Sequence, residues 1–331
     1  MSNKKSTEKI TILFGGMPQN STRWLKNKLF DIVKNILVGK QKKMVKGGPE
    51  IVQINLIAGL QRLGYKTLVS PPGFLISSWV GVLSDLVYAL PWALQAKKKG
   101  RISYLVAGPN LVVSPDDHEK ILLSPEIDKI VVPSQWVKDY YSSVAPSIHN
   151  RIHIWPVGID TVRLRPVKEQ KRNIILVYQK NAPQEILNSV LEKLKHASQE
   201  YKILVYGQYS HEDYLKLLSM AKALILLSQS ESQGIAMFEA WSYDVPVLAW
   251  DRGYWVGACS NGTRRWDGAS SAPYLTNQSG MRFTSKQDFP MVFQAFIENI
   301  DLFSPREYVL QNFTLEICAQ RYLDLFPTSS N

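Results

Sequence analysis

Short apolar runs alternate with longer helical patterns along this chain. In the first half, Ile10–Gly16, Thr67–Val69, Ile102–Val106, Lys129–Val132 and Ile152–Pro156 predict buried strands. In the second, Asn173–Tyr178, Tyr201–Tyr206, Ala223–Leu227 and Val245–Ala249 do the same. Helical patterns lie between them, at Pro49–Leu63, Gln184–His196 and His211–Met220. Strands that are apolar throughout, rather than at alternate positions, are covered on both faces, and strand–helix alternation makes the sheets parallel. The alternation pauses at Asp160–Lys171, a polar stretch containing Pro166, and then resumes. This predicts an α/β protein of two Rossmann-like units, residues 1–165 and 166–308, followed by a terminal segment 309–331.

Phe74–Leu94 is 21 residues long, mostly apolar, and followed by Lys97, Lys98 and Lys99. That length and basic flank match a membrane span. Asp85, Pro91 and three serines interrupt it, and it sits between two predicted strands of one sheet. It therefore reads as a buried or interfacial helix.

Composition adds to this picture in two places. The first is cysteine: only Cys259 and Cys318 occur, too few and too far apart for a disulfide framework or a zinc site, which fits a reducing cytoplasm. The N-terminus is polar and shows no secretory leader. The second is charge. Of the net +11, residues 1–165 hold 23 Lys/Arg against 11 Asp/Glu, whereas residues 166–331 hold 16 against 17. A split of this kind points to one domain facing an anionic partner: a phospholipid surface, a phosphorylated acceptor or nucleic acid.

The segment from Leu227 to Gly253 carries the chemistry. It predicts a strand ending near Leu227, a loop, and a helix opening at Gly234. Amides at a helix start, with the positive end of its dipole, suit a diphosphate, and Gly234 lets the backbone come close. Glu231 falls in the loop before that site, where a sugar would sit. Glu239 falls near the second turn, its side chain tilted back within reach of a ribose. Carboxylates accept well from vicinal hydroxyls.

Glu231 and Glu239, with seven residues between them, followed by a turn and a Pro246–Val247 strand, resemble the E-x7-E donor motif of the family-four retaining glycosyltransferases, which have the GT-B fold. Asp244 stands at the turn position that this family usually gives to glycine; Asp visits the left-handed region more readily than most residues. Val132–Val137, Ile154–Pro166, Lys46–Leu60 and Asn312–Phe326 are similar to the family's strand-end V-P-S, its interdomain stretch, its acceptor-domain glycine loop and its terminal helix crossing back to the first domain.

The resemblance implies two domains facing across a cleft and transfer of a sugar from a nucleotide-sugar donor with retention. It implies Glu231 beside the sugar, Glu239 on the ribose, and the backbone of Gly234 and Ile235 on the diphosphate, with the Gly47–Gly48 loop approaching from the other domain. Lys180 takes the place of one of the two bases the family sets near the phosphates, and a second base is not evident. Where many members carry an acceptor-side histidine, Val106–Leu111 has none, and Asn110 is the substitute candidate; no histidine is given a catalytic role. Helix-start amides and a lysine can stabilise the leaving diphosphate, and the sequence has no Asp-x-Asp pair, so a metal-independent reaction without cofactor is expected.

Arg23–Lys46 carries eight Lys/Arg and one Asp. Leu25, Leu29, Ile32, Val33 and Ile36 share one helical face, with Lys26, Lys28 and Lys34 as candidate membrane contacts. The expectation is a cytoplasmic protein, peripheral on the inner face of a membrane, acting on a glycan or lipid-linked acceptor. A soluble or nucleic-acid acceptor, a GT-B-fold nucleotide-sugar epimerase, and a non-catalytic binding module remain open.

Overall fold

The structure, a computed structural model, describes residues 10–13, 48–69, 75–167 and 172–327. The contacts proposed for Lys26, Lys28 and Lys34, and Gly47 of the glycine loop, lie outside these residues.

The first sheet contains β1 (Ile10–Leu13), β2 (Thr67–Val69), β3 (Trp79–Ser84), β4 (Tyr104–Asn110), β5 (Lys129–Val132) and β6 (Ile152–Ile154), in the order β2-β1-β3-β4-β5-β6. Every pair is parallel. Helices α1 (Gly48–Arg62), α2 (Ala89–Lys98) and α3 (Gln135–Val144) cover it. Both faces are packed, as its apolar strands require: Val80, Val82 and Leu105 point to one core, Leu83, Val106 and Val131 to the other.

The second sheet contains β7 (Ile174–Gln179), β8 (Tyr201–Val205), β9 (Ala221–Leu227), β10 (Val247–Trp250) and, further along the chain, a strand at Gly280–Phe283. It is also wholly parallel, in the order Gly280–Phe283, β10, β9, β7, β8. Helices α4 (Gln184–His196), α5 (His211–Met220) and α6 (Ile235–Ser242) connect its strands. Between β10 and the edge strand, the chain makes an antiparallel hairpin of β11 (Tyr254–Cys259) and β12 (Gly262–Asp267); the edge strand is β13. Helices α7 (Phe289–Glu298), α8 (Pro305–Asn312) and α9 (Leu315–Leu323) follow.

Phe74–Leu94 is not one helix. From Trp79 to Ser84 it is β3, hydrogen-bonded between β1 and β4, and a helix starts only at Ala89. Asp85, at φ 74°, makes the turn. A fully apolar run has no periodicity, so strand and helix cannot be told apart by pattern alone. Among the described residues, no helix is long and apolar enough to cross a membrane.

The C-terminal stretch is two helices, broken at Phe313–Thr314, where the Thr314 hydroxyl caps α9 by accepting from Ile317 N. Helix α9 lies on α1 of the first sheet. A Cβ at Gly59 would stand 2.4 Å from Leu315 O, so the two helices meet at a spacing that only glycine allows. Trp155 donates to Cys318 O at 2.8 Å and packs edge-on against Tyr322 at 4.8 Å.

Candidate functional site

The ends of the two sheets border a cavity of about 320 Å3. Gly48 and Asn110 reach it from the first sheet and its helices; Lys180, Glu231, Gly234, Ile235 and Glu239 reach it from the second. Seven of the residues singled out in the sequence thus share one space.

Gly234 adopts φ 84° at the N-cap of α6, a left-handed backbone natural to glycine. The first amides of a helix have no partner within it, and Gly234, Ile235 and Ala236 at the start of α6 line the cavity. The helix is anchored behind them: Phe238 and Trp241 are fully buried, and the Tyr214 hydroxyl donates to Ala236 O at 2.6 Å. Asp244 ends the turn after α6 at φ 60°, as the sequence suggests.

Lys180 follows β7, and its Nζ lies 2.8 and 3.0 Å from the two carboxylate oxygens of Glu231. Ser228 Oγ donates to the same carboxylate at 2.8 Å. The Glu231 backbone is held from both sides of the cleft: its N donates to Ser270 O, and its O accepts from Trp136 Nε1 on α3, both at 2.9 Å. Lys180 Nζ also sits 5.0 Å above the Tyr206 ring. Among the described residues lining the cavity, Lys180 is the single Lys or Arg.

Glu239 is 4% exposed, and its Oε1 lies 2.6 Å from His211 Nε2. His211 opens α5, whose start is set by a capping box of Ser210 and Asp213. Sequence reasoning placed the helix start at His211 but gave the residue no role, because no local rule says which carboxylate its side chain meets. It missed the tyrosines at the back of the cavity. Tyr178 and Tyr209 share a hydrogen bond of 2.6 Å. Burial pushes the Tyr178 hydroxyl well up and that of Tyr209 to about 12, so both stay protonated near neutrality. Gln233 was missed as well: buried, it accepts from Val157 N at 3.0 Å and donates to Val157 O at 2.9 Å, tying the loop before α6 to the interdomain stretch.

A model of the group 1 glycosyl transferases matches residues 167–267, the stretch that builds the lysine, both glutamates and α6. No curated protein matches the chain by sequence. Solved structures resemble it over nearly its whole length. They include a glycosyltransferase from Rickettsia africae (13% identity, 96% of this chain and 97% of that one, TM-score 0.57). The lipopolysaccharide outer core galactosyltransferase WaaB in its apo form is another (13%, 96% and 98%, 0.53). Anabaena HepE, in complex with UDP and glucose, is a third (12%, 96% and 98%, 0.52). At such low identity these structures speak for the fold, and that fold is GT-B. The chain is therefore a GT-B protein. Within it, residues 167–267 are similar to the group 1 glycosyl transferases.

Proposed function

We propose that this protein moves a sugar from a nucleoside-diphosphate sugar to an acceptor hydroxyl, with retention and without a metal ion. The observation that carries the reading is the convergence of Lys180, Glu231, Gly234 and Glu239 with Gly48 on one interdomain cavity. In this reading Glu239, fixed by His211, grips the ribose, and the α6 amides with Lys180 hold the diphosphate. Glu231 stands beside the sugar. The bond from the anomeric carbon to the diphosphate breaks, a bond from that carbon to the acceptor oxygen forms, and the acceptor's proton passes to the departing diphosphate. The developing negative charge is met by amides and a lysine already in place, which is the largest contribution a protein can make to such a step. A cleft between domains also keeps water from the donor.

The acceptor in this proposal is a glycan or lipid-linked glycan at an anionic membrane surface on the cytoplasmic side. The charge split between the two halves supports the surface. HepE, solved with UDP and glucose, supports a nucleotide-linked hexose as donor class.

The test is a thermal-shift and turnover screen over nucleotide sugars, run with and without EDTA and with neutral or anionic vesicles. Selective stabilisation by one nucleotide sugar is expected, with turnover unaffected by chelation and binding to anionic vesicles that weakens in salt. Loss of turnover on chelation, restored by manganese or magnesium, would remove the metal-free mechanism. Conversion of the donor to its epimer without acceptor would make the protein an epimerase. Nucleotide binding with no transfer to any acceptor would make it a binding module.

A further inference from the structure

The hairpin β11–β12 leaves the second domain after β10 and lies against the first. Trp255 and Trp266 pack on Tyr140 of α3, with ring centroids 5.2 and 5.7 Å away. Arg264 forks onto both oxygens of Asp116, at 2.9 and 2.6 Å, and reaches Ser114 Oγ at 2.9 Å. Near the hairpin tip, Asp117 Oδ1 accepts from Ser260 N at 2.7 Å, while its Oδ2 accepts from Ser114 N at 2.9 Å.

Between the tip and the end of β4 lies a second cavity, of about 400 Å3. Leu111, Val113 and His118 line it from the first domain, Ala258 and Ser260 from the hairpin. Asn110 lines this cavity and the donor cavity alike, and so stands between them. Its Nδ2 is buried without a hydrogen-bond partner. A buried amide donor left unpaired is costly, and a ligand oxygen there would satisfy it.

We propose that this second cavity is the acceptor subsite and that it takes a neutral, hydroxyl-bearing sugar. This rests on the glycosyl-transfer reading above and adds the class of acceptor. The chemistry of the wall favours that class. No Lys or Arg is among the described residues of its wall to meet a phosphate, and the carboxylate of Asp117 accepts from amides of both domains. The rest of the wall is the Ser260 hydroxyl, the His118 imidazole, the Asn110 amide, the Cys259 thiol and aliphatic surface at Leu111 and Val113, which match the hydroxyls and the C–H face of a pyranose. Because one wall belongs to each domain, the subsite exists only while the hairpin is docked.

Two bulky substitutions from opposite walls, Val113→Trp and Ala258→Trp, test this; both positions are exposed, so the fold has room for them. The probes are nucleotide sugars alone, followed for slow hydrolysis, and the same donors with a panel of neutral methyl glycosides. Each variant should melt like the parent and hydrolyse donor within about twofold of it, while kcat/KM for transfer to the glycoside falls at least tenfold. Unchanged transfer in both variants would overturn the subsite and leave the donor reading standing. Transfer by the parent to phosphorylated acceptors, but to no neutral glycoside, would overturn the acceptor class. A parent that neither binds nor hydrolyses any nucleotide sugar would bring down the glycosyl-transfer reading itself, and the subsite with it.

Discussion

The two sides of the cleft hold their functional groups by different means. On the donor side, the groups hang from continuous elements: Lys180 follows β7, Gly234 caps α6, and Glu239 lies within α6 beside the fully buried Phe238 and Trp241. On the acceptor side, the rim after β4 is irregular. His118, Glu119 and Lys120 adopt φ of 50°, 56° and 61° in succession, a left-handed run that side chains disfavour. The neighbouring Asp117 is fastened by backbone amides of both domains, and His118 N donates to Ser260 Oγ at 3.4 Å. Helix and strand thus fix Lys180, Gly234 and Glu239 from within the second domain, with Trp136 of the first steadying the loop at Glu231, whereas the proposed acceptor rim depends on a hairpin borrowed from the second domain.

The sharpest way to break this comparison is on the donor side. Replacing Glu231 by Gln removes the carboxylate that pairs with Lys180, and kcat should fall by about 10²-fold or more, in the range seen when a preorganised charge is lost from an active site. Glu239→Ala should act on affinity instead, weakening donor binding by about 1–3 kcal/mol for a lost charged hydrogen-bonding group. Steady-state kinetics together with titration of the nucleotide separate the two effects. If both variants keep the parent's kcat and KM, the chemistry does not belong to this side of the cleft.

A smaller effect is expected where the C-terminal helix meets α1. Gly59→Ala puts a methyl 2.4 Å from Leu315 O and 2.7 Å from Ala319 Cβ. Backbone and helix must move apart, at a cost of about 1–3 kcal/mol. Gly48→Ala, with no described residue within 4 Å of its added Cβ, is the control and should change stability by no more than about 0.5 kcal/mol. Urea unfolding measures both. Equal midpoints for the two variants would mean that α9 is not held closely on α1.

The same contrast explains what could be read from the amino-acid order. Helices α4 and α5 begin and end where the pattern puts them, and β2 and β5 likewise, because each carries its own period or boundary residues. Gly234 and Asp244 announced a helix start and a left-handed turn, and the structure has both. Local pattern failed where tertiary contact decides. Within the apolar run at Phe74–Leu94, Trp79–Ser84 became a strand because β1 and β4 were there to pair with it. His211 meets Glu239 across 28 positions, and Arg264 meets Asp116 across 148, distances over which no motif speaks. The hairpin was missed although Asn261–Gly262 at its tip is a turn signal; what no local pattern shows is that its tryptophans pack on the other domain.

The Arg264–Asp116 pair offers the most delicate test of that borrowed wall. Hydrogen bonding to Arg264 is the main force holding the Asp116 carboxyl down at about 2, against an ordinary value of 3.8. A carboxylate depressed in the folded state contributes stability that is complete above its unfolded value and disappears as the pH falls through the folded one. The contribution of this pair is therefore whole above about pH 4 and gone near pH 2. One pKa unit corresponds to about 1.4 kcal/mol, and because the pair is partly solvated, about 1–2 kcal/mol is the expected size. Arg264→Gln should lower stability by that amount at neutral pH, and the gap to the parent should close as the pH drops from about 4 to 2. Trp255 and Trp266 still pack on Tyr140 in this variant, so nucleotide binding in the second domain should not change. Urea unfolding of the two proteins across that window decides the matter. A gap that stays constant with pH would mean that Arg264 steadies the hairpin through packing and that its charge adds nothing, whereas a gap that closes while nucleotide affinity holds would show an ion pair that serves the acceptor side of the cleft alone.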